Sequence, residues 1–452
     1  MVPYAFGIHM RTGSRKLLRP YQPLMPPPLG SQLMGATGLS GLALAEDRDG
    51  LFRAFGAPAG DTGAKVFFLA NPLTNKINAA RATPDGARYR YERLPDFLST
   101  DDKWFRPVAM HFGPDGALYI VDWYNKIISH NEVPRTHPDR DKSRGRIWRI
   151  RHRDQPRVTP PDLTKLDDRA LVAQLGAPNA LVSRLAWLEL TDRRATAVAP
   201  DLEKLAADRT ATSDRRLAAL WALESLSPIP TPLLLSLAAD AAPTIRHEAA
   251  RLAAAHPRPE SEFLSIATPL LADPSPSVRA ALGDALRRVP RASARVMALA
   301  AQLGATSLPA VVAPANPWPH YEREFERYLA RWAMELNPAS TSVLLASPEG
   351  RALPLENRIL ATLALGGKDA AIGLARLTPE LMRPLGDEEV RALAAHFAEP
   401  AVREALSHSL TTAATRAPVL RALLTLRTSL DTTPHNTSPC SSMVPMRSAS
   451  PS

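Results

Sequence analysis

Near residue 155 the hydrophobic rhythm of this chain changes, and that change constrains its fold more than any other feature. Upstream, short apolar runs alternate in steps of two, the period at which successive side chains of a strand face opposite sides. Val66-Phe-Phe-Leu69 is closed by Asn71-Pro72, and Tyr89 and Tyr91 alternate after the turn Thr83-Pro-Asp-Gly86. From Pro107 to Asp122 the pattern reads strand, turn at Gly113-Pro-Asp-Gly116, strand; Arg146-Ile-Trp-Arg-Ile150 is a further alternating strand. In such a turn Pro presets φ and Gly accepts a positive φ. Downstream, Ala and Leu dominate and apolar positions recur at three and four, the spacing of an amphipathic helix.

The helical part repeats. Aligned on Arg184, Arg216, Arg246 and Arg279, similar segments lie 32, 30 and 33 residues apart, and Asn357-Arg-Ile-Leu360 and Val390-Arg-Ala-Leu393 revive the pattern 33 apart. A helix pair of this length exposes an apolar face that only the next pair can cover, so a period of 30–40 implies a solenoid of the HEAT type over 160–425. The four arginines are expected to pair with neighbouring acidic side chains or helix ends. Residues 304–335 interrupt the array with Pro309, Pro314, Pro317 and Pro319, followed by a helix from about Tyr321 to Leu336. Residues 1–37, with Pro20 to Pro28 unsuited to helix or central strand, read as irregular, and the Ser/Thr/Pro-rich 426–452 as a disordered tail.

Composition excludes some functions. The net charge of +10 is carried mostly by Arg recurring within helices, which suits solvated or structural side chains better than a nucleic-acid surface. One cysteine, Cys440, forms no intrachain disulfide and builds no zinc cluster. No run of about 18 apolar residues predicts a transmembrane helix, and Met1 to Pro20 lacks the apolar core of a signal peptide. Dinucleotide, Walker, nucleophile-elbow and zincin motifs do not occur.

Between residues 38 and 150 the chain resembles the large membrane-bound or secreted dehydrogenase-like proteins of planctomycetes and verrucomicrobia. The resemblance rests on Gly38-Leu-Ser-Gly-Leu42, Val66-Phe-Phe-Leu-Ala-Asn71, Trp104-Phe-Arg-Pro-Val108, Gly113-Pro-Asp-Gly-Ala-Leu-Tyr-Ile-Val-Asp-Trp-Tyr-Asn125 and Arg140-Asp-Lys-Ser-Arg-Gly-Arg-Ile-Trp-Arg149. It implies a six-bladed β-propeller, similar to soluble quinoprotein sugar dehydrogenases, placed before HEAT-like repeats. The expected architecture is therefore multidomain β plus α, with 38–155 the C-terminal blades of a partial propeller and 160–425 an α-solenoid. Residues 1–150 supply too few strands for a whole propeller, so the resemblance implies a fragment of a longer, periplasmic or cell-surface protein. A c-type cytochrome domain often follows in this family, but no Cys-x-x-Cys-His pattern is present, so no haem c attaches here.

The function this resemblance implies is quinone-dependent oxidation of a sugar or other alcohol. Pyrroloquinoline quinone is a polyanion and needs cationic partners for its carboxylates. Late blades supply Lys and Arg for this in the enzymes resembled, and Lys76 and Arg106 stand at corresponding strand ends. The alternatives are a surface charge for Lys76 and a structural ion pair for Arg106. The general base of those enzymes comes from an early blade, so no catalytic residue is assigned. Asp122 and Asn125 offer oxygens to Ca²⁺, or else close turns through side-chain to backbone hydrogen bonds. His111, His130 and His137 lack metal-helix spacing; His130 is a candidate for the mouth. Asp139, Arg140, Asp141 and Arg144 are expected to form a loop ion-pair network anchoring the last strand. The alternative function is a non-catalytic scaffold binding a carbohydrate, such as a sugar or polysaccharide, or a protein partner on the helical array.

Overall fold

The computed structural model describes residues 38–46, 50–56, 64–128, 132–304 and 318–411, with five positions between 416 and 424. The N-terminal segment, His130, residues 305–317 of the expected interruption and the tail lie outside the described residues. The chain divides into two compact units, Met1–Asn337 and Pro338–Ser452.

The first unit begins with two open antiparallel sheets; among the described residues neither closes into a barrel or a propeller. One holds β1 (Leu42–Leu44), β2 (Lys65–Asn71), β3 (Lys76–Asp85) and β4 (Arg88–Ser99) in that order. The other holds β5 (Pro107–Phe112), β6 (Leu118–Asp122) and β7 (Arg146–Ile150). The Gly113–Gly116 turn forms as expected, with Gly116 at φ +77 and Asp115 accepting the Ala117 N–H. The other turn falls later than Thr83-Pro-Asp-Gly86 suggested. Thr83, Pro84 and Asp85 remain in β3, paired with Arg90, Tyr89 and Arg88, and the chain reverses at Gly86-Ala87. Gly86, at φ +65, is the residue free to adopt that backbone.

Alternation decides how the sheets meet. Met110, Ile120 and Trp148 are cross-strand neighbours and share one face of the second sheet. That face, with Phe112 and Leu118, packs on Val66 and Phe68 of the first sheet and on Phe52 of its β1–β2 connection. Phe68 and Phe97 rings lie 4.4 Å apart, and Phe52 and Phe112 meet edge to face at 5.2 Å. Each buried aromatic contributes about 1.5–3 kcal/mol, against roughly 0–1 for an exposed ion pair, so the aromatic cluster is the main bond between the sheets. The first strands approach closely: a Cβ on Gly41 would sit 2.8 Å from the Ala109 Cα, so only glycine fits there.

The rhythm change is real. After Ile150 the structure is helical, starting with α1 (Asp168–Gln174) and α2 (Ala180–Asp192). Three further pairs follow: α3 (Ala199–Ala207) with α4 (Ser213–Leu226), α5 (Thr231–Ala238) with α6 (Pro243–Leu252), and α7 (Glu260–Ala267) with α8 (Pro276–Arg288). Then come α9 (Ala294–Gly304) and α10 (Trp318–Leu336), the helix foreseen after the prolines. Each repeat arginine finds an acid: Arg184 with Glu46 at 2.8 Å, Arg216 with Asp240 at 2.6 Å, Arg246 with Asp273 at 2.6 Å, and Arg279 with Glu326 at 3.0 Å. In the middle two the acid sits in the turn between the two helices of the following pair, so the sequence period there is also the period of buried charge pairs.

No loose linker separates sheets from helices. Buried Asn179 donates from Nδ2 to the Gly113 carbonyl at 3.0 Å while its Oδ1 caps α2, and Arg184 reaches back to Glu46. At the other end of the unit, Glu322 on α10 accepts the Ala87 N–H of the β3–β4 turn at 2.7 Å. Secondary structure therefore changes near 155, but the compact unit runs on to Asn337.

The second unit contains α11 (Pro338–Ala346), α12 (Pro348–Ala352), α13 (Leu355–Leu365), α14 (Gly367–Leu377), α15 (Asp387–Ala394) and α16 (Pro400–Thr411). Its core joins Ile359, Leu363, Leu374, Val390, Leu393, Val402 and Leu406. Arg383, whose protonated form is favoured by Glu389 and Glu356 despite burial, clips α13 to α15.

Candidate functional site

Antiparallel pairing puts one set of strand ends together. The ends of β2, β4 and β6 and the starts of β3, β5 and β7 share one end of the sheets. Lys76 starts β3, Arg106 precedes β5, Asp122 ends β6 and Asn125 follows it, so all four residues singled out in the sequence gather at this end. Cross-loop bonds knit it: Asn75 Nδ2 donates to the Phe105 carbonyl at 2.7 Å and to the Asp102 carbonyl at 3.3 Å.

Arg106 is a structural clamp. Its Nε donates to the Asn125 carbonyl, Nη1 to that of Pro72 and Nη2 to that of Lys126, all at 2.7–2.8 Å. The guanidinium is buried, and burial lowers its pKa, with Asp122 and Asp102 opposing. A planar fork spread over three carbonyls holds three loops in register and is not aimed at a ligand carboxylate. The ion-pair alternative held for Arg106 thus has its structural sense, but with carbonyls as the direct partners.

Asp122 is saturated. Its Oδ1 accepts from the N–H groups of Arg106 and Tyr124 at 2.8 and 3.0 Å, and its Oδ2 from Arg146 Nε and Trp148 Nε1 at 2.7 and 3.0 Å. Asn125 accepts the Ile127 N–H and donates to the Asp141 carbonyl. Four donors on one buried carboxylate satisfy its lone pairs, so these two residues close turns and do not fit a Ca²⁺ shell. Among the described residues no group of three or more His, Cys, Asp or Glu is placed to hold a metal.

Lys76 is different in kind. It is half-exposed and pairs with Asp96 at 2.7 Å, and Asp96 also accepts from Asn78, which in turn accepts from Asn71. The Lys76 hydrogen bond chiefly holds the Asp96 carboxyl below its usual value, against burial. His111 is exposed on β5, and His137 Nδ1 accepts the Asp139 N–H. In the loop where an ion-pair network was expected, Asp139 pairs with Lys126, Asp141 with Arg144, and Arg140 donates to the Val133 carbonyl. Arg146, which bridges Asp122 and Asp102, also anchors the last strand.

The sequence reading missed the aromatic content of this end. Trp104 and Tyr124 stack with centroids 5.1 Å apart and an interplanar angle of 22°. The Arg146 guanidinium lies 4.3 Å from the Tyr124 ring centroid and 5.1 Å from that of Trp148. Tyr124 adopts φ +55, a left-handed backbone that costs a non-glycine residue of order 1–3 kcal/mol and is held by the Asp122 carboxylate. The signal was available in the aromatics flanking Asp122 and Arg146, which the sequence reading took as part of a loop and a strand without linking them to one another.

A family model described as a domain of unknown function (DUF7133) matches residues 44–154. The match spans both sheets and stops before the helices. No curated protein matches the chain.

Proposed function

We propose that this chain is a binding scaffold. In this reading its two sheets are successive blades of a propeller-type module, its helix pairs are HEAT-like repeats, and together they present surfaces to a carbohydrate or protein. Two four- and three-stranded meanders in sequence, packed face to face with their first strands closest, are the arrangement that successive blades require. The single observation that carries the scaffold reading is the commitment of Arg106 and Asp122. The side chains best suited to grip a quinone carboxylate or a cation are spent on holding loops in place.

A second reading, quinone-dependent oxidation of a sugar or other alcohol, draws on the convergence of Lys76 with the Arg106 and Asp122 loops at one sheet end. Lys76 is the half-exposed cation of the four residues there and the one left to meet an anionic ligand after releasing Asp96. The full chain, titrated calorimetrically with pyrroloquinoline quinone in the presence of Ca²⁺ and then assayed for dye-linked oxidation of aldoses and alcohols, separates the two. The scaffold reading expects no saturable quinone binding and no dye reduction. Stoichiometric binding with substrate-dependent dye reduction, lost in Lys76→Ala, would overturn it.

A further inference from the structure

We propose that Trp104, Tyr124, Arg146 and Trp148 form a preorganised platform for a neutral pyranose sugar, with the outer indole face of Trp148 as the contact surface. This deepens the scaffold reading by naming its ligand class, and it rests on that reading only for the absence of chemistry at the site.

Register places Trp148 opposite Ile120, which is fully buried against the first sheet, yet Trp148 itself is 44% exposed. It therefore stands at the margin of the packed face, with large apolar area left in water. An exposed Trp on a strand is usually free to rotate. This one is not, because its Nε1–H donates to Asp122 Oδ2 at 3.0 Å and Arg146 lies against its ring. Arg146 is itself fixed by Asp122 and Asp102, at 2.7 and 2.9 Å, and rests on Tyr124, which stacks on Trp104. The result is a layered stack, indole–phenol–guanidinium–indole, whose members have little rotameric freedom left to lose on binding.

The chemistry of such a surface is specific. The C–H face of a pyranose ring carries partial positive charge and packs on the negative face of an aromatic quadrupole. Two arginines, Arg146 and the buried Arg106, face two aspartates, Asp102 and Asp122, so the charges here compensate one another locally. Against burial, Asp102 and Asp122 raise the Arg146 pKa, and the Trp104 N–H and Arg146 lower that of Asp102. A compensated surface suits a neutral ring better than a uronate or sulfated sugar. Hydroxyls at the ring edge would meet the polar rim of Asp102 and the loop carbonyls.

The test is a titration of the full chain with neutral β-1,4-linked hexasaccharides of glucose, xylose and mannose, and with a polygalacturonate oligomer, followed by tryptophan fluorescence and calorimetry. At least one neutral hexasaccharide is expected to bind, with little dependence on salt. Trp148→Ala should weaken it tenfold or more, Trp148→Phe less, and Trp221→Ala on α4 not at all, with melting temperatures unchanged to confirm folding. No binding of any neutral hexasaccharide, salt-sensitive binding of the polygalacturonate alone, or affinity unchanged in Trp148→Ala would each overturn the proposal. Dye-linked sugar oxidation on adding quinone would instead sink the scaffold reading and leave the platform standing if Trp148→Ala still abolished binding.

Discussion

Replacing Arg216 by Met should unfold this protein more readily than any surface charge change, and the loss should depend on pH in a defined direction. Arg216 and Asp240 are both buried, with Nη2 to Oδ2 at 2.6 Å, and Nε of Arg216 also caps the Ala206 carbonyl at 2.9 Å. Removing one partner of such a pair costs about 3–5 kcal/mol, because it strands a buried charge. At roughly 2 °C per kcal/mol for a unit of this size, the melting temperature should fall by about 6–10 °C. Burial pushes the Asp240 carboxyl up, but Arg216, the Ala242 N–H and the charge of Arg209 outweigh it and hold the pKa below normal. In the intact protein Asp240 therefore contributes stability that is present above its unfolded pKa, about 3.9, and is lost as pH falls through the lower folded value. Without Arg216 the burial effect prevails and the folded pKa rises, so the carboxylate now opposes folding at neutral pH and is relieved by protonation as pH falls. Calorimetric melts of both proteins at pH 7 and pH 4.5 should show the gap narrowing on the acid side. Adding Asp240→Asn, which removes the stranded charge and keeps an acceptor for Ala242, should restore about 1–3 kcal/mol. A loss under about 1 kcal/mol, or a gap that is the same at both pH values, would refute the assignment of a buried, charge-compensated pair.

Arg106→Lys, conservative in charge, should still cost about 2–4 kcal/mol, because one ammonium cannot span three carbonyls; denaturant melts measure it. The Asp141 carboxyl is lowered to about 2 by the Ser143 N–H and side chain and by Arg144, against burial. Its contribution to loop order should thus hold above the usual carboxylate pKa and vanish as pH falls through about 2, with a side-chain ¹³C titration midpoint near that value. Gly176 and Gly366 both have positive φ, but a Cβ on Gly176 would lie 2.4 Å from the Arg215 Cα whereas that on Gly366 meets nothing within 4 Å. Gly176→Ala should therefore cost more than about 3 kcal/mol and Gly366→Ala about 1 kcal/mol in thermal melts.

Periodicity made the two halves of this architecture legible because each period has a single geometric cause. Alternation by two placed Phe68, Met110, Phe112 and Ile120 on inward faces, and the 30–33 residue recurrence of Arg216, Arg246 and Arg279 located buried pairs before their partners were known. The compact-unit boundary was not legible. The unit's sheets and helices are tied by long-range bonds such as Asn179 to Gly113 and Glu322 to Ala87, whose partners lie 66 and 235 residues apart and leave no local pattern. The loop end shows the same limit from the other side. Sequence reasoning put Lys76 and Arg106 at strand ends and Asp122 and Asn125 in a loop after a strand, and antiparallel pairing is what gathers all four at one end of the sheets. What each side chain does there is decided by hydrogen-bond satisfaction. With three of its five donors on carbonyls Arg106 is committed to the loops, and with four donors on its carboxylate Asp122 is too, while Lys76 and the aromatics Trp123 and Trp148 stay outward-facing. A motif can nominate the charged residues at a site, but only the count of their partners shows whether they hold the ligand or hold the loops that frame it.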